Sequence, residues 1–315
     1  MPRRALGASG IDVSALSLGS WRTYERIPRE DGVAVMTTAR DCGIDFLDDA
    51  RYNDETGTAP LATGYSEVVF GELFRAAGWR RDEVVIANKL WWEFWPRQPA
   101  AQELEGSLRR MGFDYLDLVY AAEPPENLQI AEIVGSISEL IAAGKLRAWG
   151  VLNWPPHLLI EATELARRKR LPPPCAAQVA YNLAIRSPVE DAEVVAALDR
   201  TGARVVAAMP LWFGALTGKY SGPTATGRIA DQLESPPLQA ALGAVEPLRE
   251  LARELDTTPA ALAIAFSLAN PHVASVLFGA TTPQQVLENV TAADVLARLS
   301  DADLAGLRGI GTPLG

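Results

Sequence analysis

Eight short runs rich in Val, Ile and Leu, at 13–19, 45–50, 83–90, 116–122, 146–153, 175–182, 204–211 and 273–279, alternate with longer stretches of helical period. The helical stretches fall at 31–41, 66–77, 102–111, 130–143, 156–169 and 189–199, and Gly43, Gly78, Gly112, Gly144 and Gly202 punctuate their ends as C-cap chemistry prefers. Strands that are apolar on both faces, each followed by a helix, require a parallel sheet with helices over it. Eight such units predict an α/β fold closing into a (β/α)8 TIM barrel. The rival is a doubly wound open sheet with a dinucleotide in a glycine-rich first turn. Gly19, Ser20 and Trp21 supply no GxGxxG there, and no helix starts directly after them.

The rhythm breaks once. After the seventh run, 212–237 is a long Gly, Ser, Thr and Pro rich segment containing GALTGKYSGPTATG, followed by helical segments at 238–255 and 259–269. A loop of this length in a compact domain is usually functional, and on a barrel it would lie over the mouth. No linker, repeat or composition shift divides the chain, so 1–315 is expected as a single domain.

Composition excludes several partners. At 48% apolar and 22% charged the chain buries a large core. A net charge of -10 repels nucleic-acid backbones and anionic membranes on average, and the basic run 167–170 reads as a solvated helix end before Pro172. Cys42 and Cys175 are too few and too far apart for a disulfide framework, and the N-terminal segment lacks the apolar core of a secretion signal. With no run of 18 apolar residues for a membrane span, a cytoplasmic location with reduced thiols is expected. Only His157 and His272 are present, neither at a ligand spacing, so no metal is expected.

On a barrel the reacting groups stand at the C-terminal ends of the strands. Asp48 and Asp49 end the second run with Tyr52 just after, Lys89 emerges from VVIANKL, Glu123 follows the fourth run, Asn153 closes the fifth, and Gln178, Tyr181 and Asn182 lie on the sixth. A lysine within so apolar a run suffers desolvation unless paired, and Asp48 or Asp49 can supply the counter-charge. An ammonium beside a tyrosine favours the phenolate and lowers its pKa towards a working range, which suits a proton donor. A structural ion pair at the rim is the plainer reading of Lys89. Directly after it, Trp91, Trp92, Phe94 and Trp95 offer either a wall for a flat or cationic substrate or a plug against the loop near 53–65. Asp48, Asp49, Glu93 and Glu123 nearby would favour a cation such as an iminium.

These residues lie in segments that resemble the aldo-keto reductase superfamily, most closely its bacterial and potassium-channel-β-subunit-like branch. LGASGIDVSALSLGSW is similar to the family's opening hairpin and first strand, GIDFLDDA to GINFFDTA, RRDEVVIANK to the strand bearing the catalytic lysine, SLRRMGFDYLDLV to SLRRLGTDYIDLY, and FGATTPQQVLEN to PGASRPEQLEEN; GKLRAWGVLN, QVAYN and LTGKY stand between. The resemblance implies a barrel that binds NADPH without a Rossmann motif, with an Asp, Tyr, Lys and His tetrad. Asp48 takes the Asp position, Lys89 the Lys position and Tyr52 the Tyr position, with Tyr65 as competitor after the insertion that runs through Gly64. The His position is Ala122, and Glu123 beside it is a candidate protonated acid.

For the cofactor the resemblance implies Gly19, Ser20 and Trp21 at the first strand end, Asn153 and Gln178 at the carboxamide, Leu211, Gly214 and Lys219 at the diphosphate, and Gly279, Thr281, Gln285, Glu288 and Asn289 at the adenosine. Leu152 replaces the family's clamp Ser, Ala208 its stacking aromatic, and Thr282 a common Arg. NADP(H) is expected before NAD(H). Trp21, Tyr52, Trp91 and Trp92 are the candidate substrate contacts. The expected function is an NADPH-dependent oxidoreductase reducing a C=O, C=N or activated C=C bond of a small organic molecule, with Tyr52 as proton donor. The alternatives are an NADP-binding regulatory protein of the same fold, with a homo-oligomer left open, and a Schiff-base lyase at Lys89, against which the nucleotide motif argues.

Overall fold

The computed structural model describes residues 1–220 and 235–310. Among these residues the chain forms a two-stranded antiparallel hairpin, β1 (Arg3–Ala5) and β2 (Asp12–Ser14), and a closed barrel of eight strands. The barrel strands are β3 (Leu16–Gly19), β4 (Phe46–Asp48), β5 (Val85–Leu90), β6 (Leu116–Ala122), β7 (Leu146–Leu152), β8 (Ala176–Ala180), β9 (Arg204–Ala208) and β10 (Val273–Phe278). Every neighbouring pair is parallel, and β10 closes the ring between β9 and β3. The fold is the expected (β/α)8 barrel.

Strand side chains alternate between the barrel interior and the surrounding helices. On β5, Val85 and Ala87 belong to the interior cluster, with Phe46, Leu118, Tyr120, Ala148, Ala176 and Val206. Ile86 and Leu90 belong to the jacket between strands and helices. Leu6, Ile11 and Val13 of the hairpin join the interior cluster, so the hairpin plugs the N-terminal end of the barrel. Burial of each such aliphatic is worth about 1.5–3 kcal/mol. The open end is the one where the strands finish.

Each expected run holds one barrel strand. The first, 13–19, is interrupted: Ser14 pairs within the hairpin, and at Ala15 the chain passes into the barrel, its N–H donating to the Pro2 carbonyl (2.9 Å) and its carbonyl accepting from Val276 (2.9 Å). Of the expected helices, 189–199 breaks into Ser187–Glu190 and Ala192–Thr201 because Asp191 adopts extended backbone. The segment 238–255 divides at Ala244 into Pro236–Gly243 and Val245–Glu254. The helix Pro259–Ala269 is apolar all round and accordingly buried from Ala260 through Leu268. Three further helices follow β10: Pro283–Val290, Ala292–Arg298 and Asp301–Gly309. Within the expected mouth segment 212–237, Trp212–Thr217 forms a 3-10 turn, and 221–234 lies outside the described residues. No described helix is long and apolar enough to cross a membrane.

Candidate active site

Alternation along β4 and β5 puts Asp48 and Lys89 inside the barrel, one turn of the pleat above Phe46 and Ala87. Asp48 is 2% and Lys89 4% exposed, and the two form an ion pair. The Lys89 ammonium also donates to the Asp49 carbonyl (3.0 Å), and Gln178 Nε2 donates to the second oxygen of Asp48 (3.0 Å). A buried charge is tolerable only when paired and hydrogen-bonded, and three strand ends supply those partners here.

Tyr52 lies four residues beyond Asp48 and lines the same cavity as Asp48 and Lys89. Its carbonyl accepts from Gly64 (2.8 Å), which closes the insertion at its base; inside it, Asn53 pairs with Thr63. Burial, then the carboxylates of Asp48 and Asp49, push the Tyr52 phenol well above its ordinary range. This reverses the expected direction. Burial is the largest cause, and with the Lys89 charge matched by Asp48 no unpaired ammonium favours the phenolate. Tyr65 stands elsewhere: its hydroxyl accepts from Arg29 Nη2 (3.0 Å), and the cavity lining does not include it.

The cavity has a volume of about 640 Å³ and runs from Asp48, Tyr52 and Lys89 to the start of the helix Pro283–Val290. Sites for small molecules and cofactors span about 300–1,000 Å³. Gly19, Trp21, Asn153, Gln178, Leu211, Gly214, Lys219, Gly279, Thr281, Gln285, Glu288 and Asn289 all line it. Ser20 does not; it is buried and its hydroxyl donates to the Asp49 carboxyl. Thr23, Phe213 and Thr217 line it without having been expected. Phe213 enters through a left-handed backbone (φ 57°), which no local pattern in the sequence announces.

The residues present fit a nicotinamide dinucleotide. Two amides, Asn153 and Gln178, stand at the Lys89 end. Lys219 lines the middle, exposed and without a carboxylate partner among the described residues, a cation suited to a diphosphate. A Cβ at Gly214 (φ +85°) would lie 2.8 Å from Lys219 Cε, so glycine keeps this passage open. At the far end Thr282 caps the helix by accepting from Gln285 N (3.3 Å), while Gln285 Oε1 accepts from Thr281 N (2.8 Å). Helix starts of this kind favour anionic groups.

Over the Lys89 end the aromatic rings form an arc: Trp91 to Tyr52 at 6.3 Å, Tyr52 to Trp21 at 6.4 Å, Trp21 to Phe213 at 5.6 Å between centroids. Trp91 lines the cavity, whereas Trp92, in left-handed backbone (φ 60°) beyond the end of β5, does not. Trp92 is buried, donates Nε1 to the Ala122 carbonyl (3.1 Å) and meets Trp95 edge-on. The aromatic segment thus divides between wall and packing. Its backbone is held by Glu103, which accepts from Trp91 N (2.9 Å) and Trp92 N (3.3 Å). Arg51, 5% exposed, ties this segment to the insertion through Glu93 (2.8 Å) and Thr63 Oγ1 (2.8 Å). Left-handed non-glycine backbone at Arg22 (φ 52°), Trp92 (φ 60°), Asn153 (φ 55°) and Met209 (φ 55°) also gathers where strands end, as strain does at functional sites.

One further expectation is corrected. Glu123 is exposed beyond the end of β6 and outside the cavity lining, so it supplies no buried acid beside Ala122. Of the four carboxylates expected to attract a cation, Asp48 is paired with Lys89 and Glu93 with Arg51, Asp49 is buried against Ser20, and Glu123 lies in solvent.

The model of the Aldo/keto reductase family matches residues 15–311. The chain is 33% identical over 315 residues to a protein of Oryza sativa subsp. japonica named probable voltage-gated potassium channel subunit beta, covering 95% of this chain and 93% of that protein. It is 32% identical over 315 residues to the protein of the same name from Arabidopsis thaliana, with the same shares covered.

Proposed function

The chain belongs to the aldo/keto reductase family, and from that premise we propose that it is an NADPH-dependent oxidoreductase acting on an uncharged, planar carbonyl compound or activated C=C bond. The observation that carries the reading is the convergence of Tyr52, Lys89 and Asp48 at one end of a cavity whose remaining length fits a dinucleotide. The chemistry that NADPH supplies when bound is hydride. Asn153 and Gln178 orient the carboxamide end, Lys219 holds the diphosphate, and Thr281, Gln285 and Asn289 hold the adenosine end. NADP(H) is preferred in this reading over NAD(H).

Tyr52 Oη gives its proton to the substrate oxygen as the bond is reduced; burial raises its pKa, so the phenol enters the reaction protonated and is the weaker acid for it. Lys89 and Asp48 are the rigid pair against which the phenol is set. The arc of Trp21, Tyr52, Trp91 and Phe213 stacks on a flat molecule and excludes water from the reacting bond. With the nearby carboxylates engaged, a neutral substrate suits the wall better than an iminium, and neutral C=N bonds fall within the same reading. Ala122 offers no side chain to polarise the oxygen, so activated acceptors are favoured over simple ketones.

The test is NADPH oxidation against planar aldehydes, ketones, enones and imines, with Tyr52→Phe alongside. Loss of proton donation lowers turnover by about 10²–10⁴-fold while NADPH binding persists. Unchanged turnover in Tyr52→Phe sinks the assignment. A second reading, an NADP-binding regulatory subunit, draws on the names of the relatives and on Ala122. Tight NADPH binding without oxidation by any compound in the panel would favour it.

A further inference from the structure

Asp49 follows the Lys89 partner Asp48 but faces the other way, into the jacket between β4 and the turn after β3. It is 0% exposed. Its backbone belongs to the Lys89 centre: its N–H donates to the Ala87 carbonyl (3.0 Å) and its carbonyl accepts from the Lys89 ammonium (3.0 Å). Its side chain belongs to the wall. One carboxyl oxygen accepts from the Ser20 hydroxyl, and Ser20 N–H donates to the Asp48 carbonyl (3.1 Å). Ser20 opens a tight turn in which Thr23 N donates to the Ser20 carbonyl (3.0 Å) and Thr23 Oγ1 to the Trp21 carbonyl (2.9 Å), with Arg22 left-handed between them. That turn carries Trp21 into the arc. The family pattern GINFFDTA has Thr where this chain has Asp49.

We propose that Asp49, as a neutral carboxylic acid, is the positioning residue that locks the Trp21 turn to the Lys89 centre. An ionised carboxylate at this depth needs several donors or a cation. The Asp49 side chain has the Ser20 hydroxyl and the neighbouring Ala50 backbone N–H as neutral donors, and its second oxygen meets no hydrogen-bond partner among the described residues. The Lys89 ammonium goes to the Asp48 carboxylate and the Asp49 carbonyl. The other groups facing it do not help: Glu67, from the helix Tyr65–Ala76, is negative and already takes Arg110 and Asn88, and Tyr24 and Tyr52 are phenols whose pKa values its charge raises. Burial and Glu67 in turn lift the Asp49 pKa well above the carboxylate range, outweighing the lowering pull of the Ser20 and Ala50 donors and of Lys89. The neutral acid is the form that fits; once pH rises through that raised pKa, the charge appears and the turn loosens.

The proposal deepens the hydride-transfer reading, and its test separates the two. Asp49→Asn copies the neutral acid in shape and still accepts from Ser20; Asp49→Ala does neither. With NADPH and benzaldehyde, Asp49→Ala should raise KM about tenfold with kcat within about twofold, the loss of one buried anchor, while Asp49→Asn stays near the parent. The parent's KM should also climb at alkaline pH, and that of Asp49→Asn should stay level. Asn as damaging as Ala, or a fall in kcat alone, overturns the positioning role. If the parent oxidises NADPH neither with benzaldehyde nor with any other compound of the panel, the hydride-transfer reading has failed, and near-ultraviolet circular dichroism decides this one: the ring signal is retained in Asp49→Asn and altered in Asp49→Ala. In the infrared, the carbonyl stretch of a protonated carboxyl is expected for the parent at pH 7 and missing from Asp49→Asn. A parent spectrum indistinguishable from that of Asp49→Asn overturns the neutral acid.

Discussion

Replacing Lys89 by Met tests whether the ion pair at the heart of the barrel is as interdependent as its geometry states. Methionine retains most of the aliphatic stem and removes the ammonium. Asp48, with a side chain 3% exposed, then keeps, among the described residues, only the neutral donor Gln178 at 3.0 Å, and the Asp49 carbonyl loses its Lys89 donor. Breaking a buried pair on one side costs about 3–5 kcal/mol, chiefly from the uncompensated charge left behind. Against the roughly 5–15 kcal/mol that stabilises a folded protein, that is a large fraction. Adding Asp48→Asn removes the stranded charge and keeps an acceptor for Gln178, so the double variant should regain about 2–3 kcal/mol of the loss. Urea unfolding followed by tryptophan fluorescence at pH 7 measures both, with the slope unchanged if the folded core is intact. A Lys89→Met penalty below about 1 kcal/mol, or a further loss on adding Asp48→Asn, would refute the claim that each charge depends on the other.

Three other outcomes follow from the structure. The Tyr52 phenol sits above its ordinary value of about 10, and a general acid works only while protonated, so turnover should stay level through pH 10 and fall only beyond it; an alkaline fall centred near pH 8 would contradict the field described at that residue. Gly214→Ala puts a methyl 2.8 Å from Lys219 Cε at a φ of +85°, and NADPH affinity measured by fluorescence titration should drop about tenfold, with a modest stability loss. Gly71→Ala places its methyl 2.1 Å from the Met111 carbonyl oxygen, where only backbone can yield; a thermal-melting loss corresponding to about 2–3 kcal/mol is expected, far from the cavity and without effect on NADPH affinity.

How much of this was legible differs by the range of the forces involved. The strands were readable because a parallel barrel strand is apolar on both faces, and β6, Leu116–Ala122, begins and ends where its apolar run does. Lys89 stood out because a cation inside VVIANKL demands a partner. The aromatic run Trp91 to Trp95 was visible, but which ring meets the cavity depends on the left-handed backbone at Trp92 and on Glu103, 12 residues beyond Trp91. Glu123 adjoins Ala122 in sequence, yet faces solvent. The direction of the Tyr52 shift was misjudged for a related reason: a pair reading of Tyr and Lys omits burial, the largest cause, and omits Asp48, which takes up the Lys89 charge only once β4 and β5 are side by side.

The ring closes where Leu16 pairs with Val276, and Arg4 of the hairpin donates to the carbonyls of Leu268 and Val273 (3.0 and 2.7 Å) at that same seam. Contacts between segments so distant in the chain carry a high loop-closure entropy, which the pairing at the seam must offset. Gly19 and Gly279, which line the cavity, stand at the tips of the two strands that meet there. Closure of the ring and the shape of the groove are therefore coupled: any ligand that spans Gly19 and Gly279 binds only the closed ring, and so stabilises the seam by mass action.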